Sequence, residues 1–291
     1  MVILKFLEGS KMNKTVKIIL SLLMLIVGKT YAQPYTLQSV GIAKSFSLDI
    51  YFGDKGKGAF VKYHGQKAII ALRIKNYSAD NSGRTDGQPD LKTYVWDELV
   101  DGKINGTYGL TQDINSLKNI WYVRKKDGKR FKLQEIDSKG SKGNNQYLLH
   151  GALISFNHFD DHQLSIKYAD GKFFNAGLPD FDSPNAVRQS TIADYNFDGY
   201  DDLAFSIPDA GMGVYREFSI FLFNPLSKHF DRLANPDFGK SKCASLCDVT
   251  LDPKKKLMFT ACRGGARWWQ DVYRYTSANK LVWVRSKEMD Q

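Results

Sequence analysis

The chain has 291 residues, with 41 Lys and Arg against 31 Asp and Glu and a net charge of +10. Aromatic residues make up 13% of it and no long helical pattern is present, which favours an all-β chain of many short strands. The basic residues are spread along the sequence instead of forming one stripe, so we expect no nucleic-acid partner.

The N-terminus predicts a cleavable secretory signal peptide at residues 1–32. Lysines precede an apolar run, Ile18–Val27, and the small residue Ala32 precedes the predicted cleavage point. The apolar run is half of the roughly 20 residues that a membrane span needs, so we expect no membrane span in the mature form. Met12 is interpreted as the start, with residues 1–11 as an upstream extension. The mature protein is therefore expected to be periplasmic or secreted.

Residues 33–180 are predicted to form an N-terminal β-meander module. Gly- and Asp-rich turns separate the predicted strands, which are Ser45–Tyr51, Ala59–Tyr63, Ala68–Ile74, Lys92–Leu99, Gly106–Leu110, Asn119–Arg124 and Lys129–Ile136. The basic run Arg124–Lys126 lies beside Asp127-Gly128 and is interpreted as a solvated turn. The polar run Asp137–Asn145 is interpreted as an exposed loop or a linker.

Residues 181–291 are predicted to form a second β domain, with a boundary near Asp180–Pro184, because the segment GLPDFDSP interrupts the pattern with two prolines. Its predicted strands are Arg188–Ala193, Leu203–Ile207, Glu217–Phe223, Ala266–Tyr275 and Leu281–Arg285. Repeated antiparallel hairpins are typical of propeller-like blades and of a β-sandwich, and the periodicity does not separate the two.

Three cysteines occur in the second domain. Residues Leu246–Arg263 predict a hairpin that turns at Asp252–Lys255, which brings Cys247 opposite Cys262 and favours a cross-strand disulfide. A small loop closed by Cys243 and Cys247 is the competing pairing. No zinc or nucleophile spacing accompanies these cysteines, so we expect a structural role.

The segment Asp194–Asp202 matches the first nine positions of an EF-hand-type calcium loop. The expected calcium (Ca2+) ligands are the side chains of Asp194, Asn196, Asp198 and Asp202 and the backbone carbonyl of Tyr200. Gly199 allows the sharp turn at position six. Position twelve is Phe205 instead of Glu and strands flank the loop, so we expect a structural calcium site embedded in a sheet. The alternative is a polar turn with clustered carboxylates.

A Gly-rich loop further along is the expected partner-binding segment. It contains Met212, Gly213 and Tyr215, and a tyrosine carries much contact energy at low entropic cost. The alternative is an ordinary loop between strands whose tyrosine packs inward.

The segments DYNFDGYDDLAF, GMGVY, FLFNPLSKHF and CRGGARWW, in this order, resemble one family. It is the periplasmic, calcium-loop β-propeller-like family that includes a lysozyme-inhibiting immunity protein associated with antibacterial type IV secretion. More loosely, DGKINGTYG and IWYVRKKDGKRFKL resemble a β-meander module of exported bacterial proteins. The resemblance implies a non-enzyme that blocks a peptidoglycan hydrolase with a tyrosine near the calcium loop, and Tyr215 is the matching tyrosine.

The expected function is that of an exported calcium-binding inhibitor or immunity protein against a peptidoglycan hydrolase, such as a lysozyme-like toxin. The alternative is an exported β binding module for an envelope glycan or protein, with a purely structural calcium site. A third hypothesis is a hydrolase that acts through carboxylates with no recognisable motif; we expect no enzyme.

Overall fold

The computed structural model describes residues 33–82, 85, 88–113, 116–136, 143–159, 162–181, 186–209, 214–276 and 279–289. Within these ranges every paired strand runs antiparallel to its neighbour, which confirms the predicted all-β antiparallel meander. No helix of this part of the chain is long and apolar enough to cross a membrane. The predicted signal peptide lies outside the described residues.

The first eight strands close into a barrel, which the sequence analysis did not predict. They are β1 Tyr35–Val40, β2 Ser47–Tyr51, β3 Phe60–Tyr63, β4 Ile70–Asp80, β5 Leu91–Val100, β6 Lys103–Asp113, β7 Ser116–Arg124 and β8 Arg130–Glu135. β1 pairs with β2 on one side and with β8 on the other, so that Leu37 lies opposite both Leu48 and Glu135. Alternating apolar residues such as Leu37, Leu48 and Trp96 fill the interior.

Three four-stranded antiparallel sheets follow the barrel. The first contains β9 Asn144–Leu149, β10 Ala152–Asn157, β11 Gln163–Lys167 and β12 Phe173–Gly177. The second contains β13 Gln189–Ala193, β14 Asp202–Pro208, β15 Arg216–Asn224 and β16 His229–Arg232. The third contains β17 Thr250–Asp252, β18 Leu257–Gly264, β19 Arg267–Tyr275 and β20 Leu281–Met289. Each has its strands in chain order, which is the arrangement of a propeller blade.

The second sheet is covered on both faces. Leu203 and Phe205 pack into the core shared with the first sheet, whereas Ala204 and Leu222 pack into the core shared with the third. Burial on both faces explains why β14 is apolar at nearly every position instead of alternating.

Residues 32–291 form one compact unit. The architecture changes between β8 and β9, within the polar run that was interpreted as a loop or linker. The predicted boundary near residue 180 lies between β12 and β13, whose sheets share one core. The barrel joins this core through Gly58, whose carbonyl accepts a 2.9 Å hydrogen bond from Leu148 N.

The predicted disulfide is wrong: Cys243 pairs with Cys262, and Cys247 is a buried free thiol. The hairpin itself is present, with Thr250 opposite Phe259. At Asp248, however, the backbone takes a φ of +39°, and the paired ladder of β17 and β18 extends only to Thr250. Cys247 then bridges to Glu217 of β15 instead of facing Cys262 across the hairpin.

Candidate calcium-binding loop

The acidic loop Asp194–Asp202 connects β13 to β14, as predicted between two strands. Its backbone reverses at Phe197 and Gly199, with φ values of +63° and +93°. The Asp194 carboxylate closes the loop by accepting from Asp198 N at 3.0 Å and from Gly199 N at 2.9 Å. Asp198 in turn accepts from Tyr200 N at 2.9 Å. The loop therefore wraps its carboxylates around a short turn.

Asp202 is the buried end of the loop. Its two carboxylate oxygens accept from Tyr195 N and Phe223 N, each at 2.7 Å, so the side chain joins the loop to β15. Burial, and after it the charges of Asp198 and Asp194, raise the pKa of Asp202 to about 7, although the two backbone hydrogen bonds lower it. The charges of Asp194 and Asp198 thus lie close enough to Asp202 to repel its carboxylate.

The acidic loop is also where the four sheets meet. Asp201 pairs with Lys57 of the barrel, and its carbonyl accepts a 2.7 Å hydrogen bond from His150 in the turn between β9 and β10. The carbonyl of Phe197 lies 3.4 Å from the ammonium of Lys256, in the turn between β17 and β18. Sequence reasoning missed these three partners because each is far from its contact along the chain. The separations are 144 residues for Lys57, 51 for His150 and 59 for Lys256, and no local pattern connects such distant positions.

The predicted ligands of the acidic loop all offer oxygen atoms, which calcium requires. Carboxylate, amide and carbonyl oxygens suit a hard cation, and each carboxylate oxygen that accepts one N–H retains a lone pair. Asn196 donates to Asp198 at 2.9 Å, which brings a fourth side chain to the group. No group of three or more His, Cys, Asp or Glu side chains among the described residues has the geometry of a metal site. The donor atoms are of the type that calcium takes, but hydrogen bonds within the loop hold the side chains apart from a metal-binding arrangement.

A cavity of about 570 Å³ lies beside the acidic loop. Asp198 borders it on one side, and the turn between β15 and β16 borders it on the other. In that turn the side chain of Leu226 is 94% exposed. A partner that entered this cavity would contact both the loop and an exposed apolar side chain.

The structure separates Tyr215 from the acidic loop. β14 begins at Asp202 and ends at Pro208, and seven residues of strand extend about 20 Å. Tyr215 bonds through its backbone to Asp209, and its ring packs against the cysteine cluster of Cys243, Cys247 and Cys262. Met212 and Gly213 lie outside the described residues. The structure therefore does not place Tyr215 beside the acidic loop, where the family resemblance implies a tyrosine.

Comparisons with models of known protein families and with curated proteins found no match for this chain.

Proposed function

We propose that this protein is an exported binding protein whose acidic loop holds calcium as a structural ion. The observation that carries the proposal is the position of this loop at the meeting point of the barrel and the three sheets. A divalent cation among Asp194, Asp198 and Asp202 would replace the repulsion of their carboxylates by attraction. Because the same loop contacts all four sheets, the ion would stabilise their arrangement. The disulfide supports export, since such bonds persist in oxidising compartments.

The calcium proposal is tested by chelation of three proteins. Asp198→Ala removes an expected ligand, whereas Asp201→Asn removes the partner of Lys57 and leaves the ligands in place. Calcium bound only by the folded protein adds about 2.7 kcal/mol of stability at 100 times its Kd. Chelation should therefore lower the melting temperature of the wild type and of Asp201→Asn, and leave Asp198→Ala unchanged. Equal responses of the three proteins would refute the assignment.

For the partner, we propose a peptidoglycan hydrolase of the lysozyme-like toxin class, which the protein inhibits without turnover. Two features support a protein partner: the cavity beside the acidic loop, with its exposed Leu226, and the β14–β15 loop, closed at its base by Asp209 and Tyr215. The family resemblance supports a hydrolase in particular. The two surfaces lie at opposite ends of β14, so single variants distinguish them.

A binding experiment in calcium buffer tests the partner proposal. The mature protein is used to capture partners from envelope and secreted fractions, and any captured hydrolase is assayed with increasing amounts of the protein. A stoichiometric fall in hydrolase activity is the expected result. Capture of glycan or of envelope proteins other than hydrolases would favour the alternative, a binding module with a purely structural calcium site.

Two substitutions locate the inhibitory surface. Met212→Ala changes the β14–β15 loop without removing the ring that packs on the cysteine cluster, and Leu226→Ala changes only the rim of the cavity. Loss of inhibition in one variant alone assigns the surface, because the acidic loop precedes β14 and the β14–β15 loop follows it. Full inhibition by both would show that neither surface is used.

A further inference from the structure

The net charge of the chain is concentrated on one hairpin of the barrel. Residues 33–291 hold 36 basic and 30 acidic residues, a net charge of +6. The hairpin Ser116–Glu135 alone holds seven basic and two acidic side chains, a net charge of +5. We call its basic residues the basic face; they are Lys118, Arg124, Lys125, Lys126, Lys129, Arg130 and Lys132. The run Arg124–Lys126, which was interpreted from the sequence as a solvated turn, forms one end of the basic face.

The strand register directs the basic side chains outward. On β8, Phe131 and Leu133 are buried in the barrel, whereas the residues between and beside them are exposed. Trp121 of β7 lies opposite Lys132, and Val123 lies opposite Arg130. At about 3.3 Å per residue, the exposed positions from 129 to 134 extend about 17 Å along one face.

Most of the basic face has no acidic partner. Lys118 pairs with Asp113 at 2.7 Å, and Arg124 pairs with Asp127. The other five cations lie beyond ion-pair distance of every carboxylate in the described ranges. Their mutual repulsion would be relieved by a bound anion, which makes the face electrostatically complementary to an acidic ligand.

A cleft of about 980 Å³ adjoins the basic face. It forms because the pairing of β7 with β8 ends at Trp121 and Lys132, after which β8 pairs only with β1. Asn119 takes a φ of +51° at this point. The cleft is lined by Lys118, Arg130 and Lys132, by the amides of Asn119 and Gln134, by Trp121, and at one end by Glu135, whose carboxylate accepts a 3.0 Å hydrogen bond from Leu117 N.

Trp121 holds Arg130 in place at the mouth of the cleft. The guanidinium carbon of Arg130 lies 4.3 Å from the centroid of the Trp121 ring. The ring itself lies against Gly109 of β6, where an added Cβ would come within 2.3 Å of the indole. Stacking leaves the N–H edge of a guanidinium free to bind a carboxylate with two parallel hydrogen bonds.

We infer that the basic face and its cleft bind an acidic polysaccharide through the carboxylates of its uronic acid units. Arg130 and Lys132 would bind the carboxylates, and the amides of Asn119 and Gln134 would bind hydroxyl groups. A membrane surface is a poorer match, since none of the exposed large apolar side chains in the described residues lies on this hairpin. A nucleic acid is a poorer match because Arg130 covers the ring on which a base would stack.

The test measures binding of polygalacturonate to the mature protein at low and at physiological salt. Replacement of both cations in Arg130→Ala/Lys132→Ala should lower the affinity about tenfold or more, because two charge-assisted hydrogen bonds are lost. Lys254→Ala/Lys255→Ala removes the same charge from an exposed turn of another sheet and is the matched control. The control should bind as the wild type does, and fully methyl-esterified polygalacturonate should not bind.

Several results would overturn the inference. Equal losses in the two double variants would show attraction by net charge instead of a site. Tighter binding of duplex DNA or of anionic phospholipid vesicles, lost in the same variant, would assign the face to another ligand. Absence of polygalacturonate binding at low salt would refute it outright. The site is on the barrel, so binding should survive chelation and Asp198→Ala, which separates this inference from the proposed function.

Discussion

The barrel and the three sheets bury charged groups in different ways. The barrel closes on itself, and its carboxylate Glu98, which is fully buried, accepts from side chains of the barrel. The sheets have open edges, and their buried carboxylates, Asp202 and Asp271, accept mainly from the backbone of other segments. The difference indicates that the barrel is stabilised by side chains in its interior, whereas the sheets depend on carboxylates that hold their loops and connecting segments.

Glu98 lies at the centre of a polar network inside the barrel and is fully buried. One oxygen accepts from Tyr63 at 3.2 Å and Tyr108 at 3.3 Å, and the other accepts from Asn105 at 2.7 Å and Tyr122 at 2.8 Å. Burial, and then the nearby Glu98 charge, raise the pKa of Tyr63 well above its ordinary value. The tyrosines therefore remain neutral donors to the carboxylate.

Removal of this carboxylate is expected to give the largest effect. Glu98→Ala removes the acceptor of Tyr122 and of the hydrogen-bonded pair Tyr63 and Tyr108, so the free energy of unfolding should fall by about 3–5 kcal/mol. Urea unfolding measures the change. Asp101→Asn, in the exposed turn that follows the same strand, is the control and should cost less than about 1 kcal/mol, because Asn also tolerates the positive φ of this position. Similar losses in the two variants would mean that the network around Glu98 adds no more to the free energy of unfolding than an exposed carboxylate does.

Asp202 tests the link between the acidic loop and β15 within the second sheet. Asp202→Ala leaves the N–H groups of Tyr195 and Phe223 unpaired in a buried place, so the free energy of unfolding should fall by about 2–4 kcal/mol. The loss should persist in chelator, where Asp198→Ala should match the wild type. If chelator abolishes the difference between Asp202→Ala and the wild type, Asp202 acts only through the ion.

The disulfide is a second link, within the cysteine cluster. Cys262→Ser opens a bridge between residues 19 apart, which should lower the free energy of unfolding by about 3 kcal/mol. Cys247→Ser should cost about 1 kcal/mol and leave the bridge intact. Reducing agent should then lower the melting temperature of Cys247→Ser but not of Cys262→Ser.

Peptide mapping provides the direct check of the pairing. A peptide joining Cys243 to Cys262 is expected, and one joining Cys247 to Cys262 would restore the pairing predicted from sequence. Burial raises the pKa of Cys247 to about 11, so little thiolate is present at pH 8 and alkylation of the folded protein should be slow.

Sequence reasoning found the local features and missed those that depend on distant contacts. Alternation located the strands, and the Asp and Gly spacing located the loop at Asp194–Asp202 between two strands. Barrel closure was not predictable, because no local signal states that β1 pairs with β8. Glu98 also had no signal, since its donors are up to 35 residues away. The disulfide prediction failed because the ladder of β17 and β18 ends at Thr250, short of Cys247, and the backbone takes a positive φ at Asp248.

The smallest expected effect comes from His158, which links the first sheet to the segment before the second. Its Nδ1–H donates to the carbonyl of Arg188 at 2.7 Å, and its Nε2 accepts from Asn145 at 3.2 Å. Burial, assisted by the charge of Arg188, lowers the pKa of His158. The unfolded chain therefore binds a proton near the ordinary pKa of about 6.5, whereas the folded protein binds it only at lower pH.

Stability contributed by neutral His158 should therefore be lost as the pH falls below about 6.5, by at most about 1.4 kcal/mol per pH unit. In His158→Gln the free energy of unfolding should depend less on pH between 6.5 and 5. His64→Gln replaces an exposed histidine of the barrel and is the matched control for the substitution itself. The opposite result would be a weaker pH dependence of the free energy of unfolding in His64→Gln and an unchanged one in His158→Gln. It would place the acid-sensitive contact in the barrel instead of between the sheets.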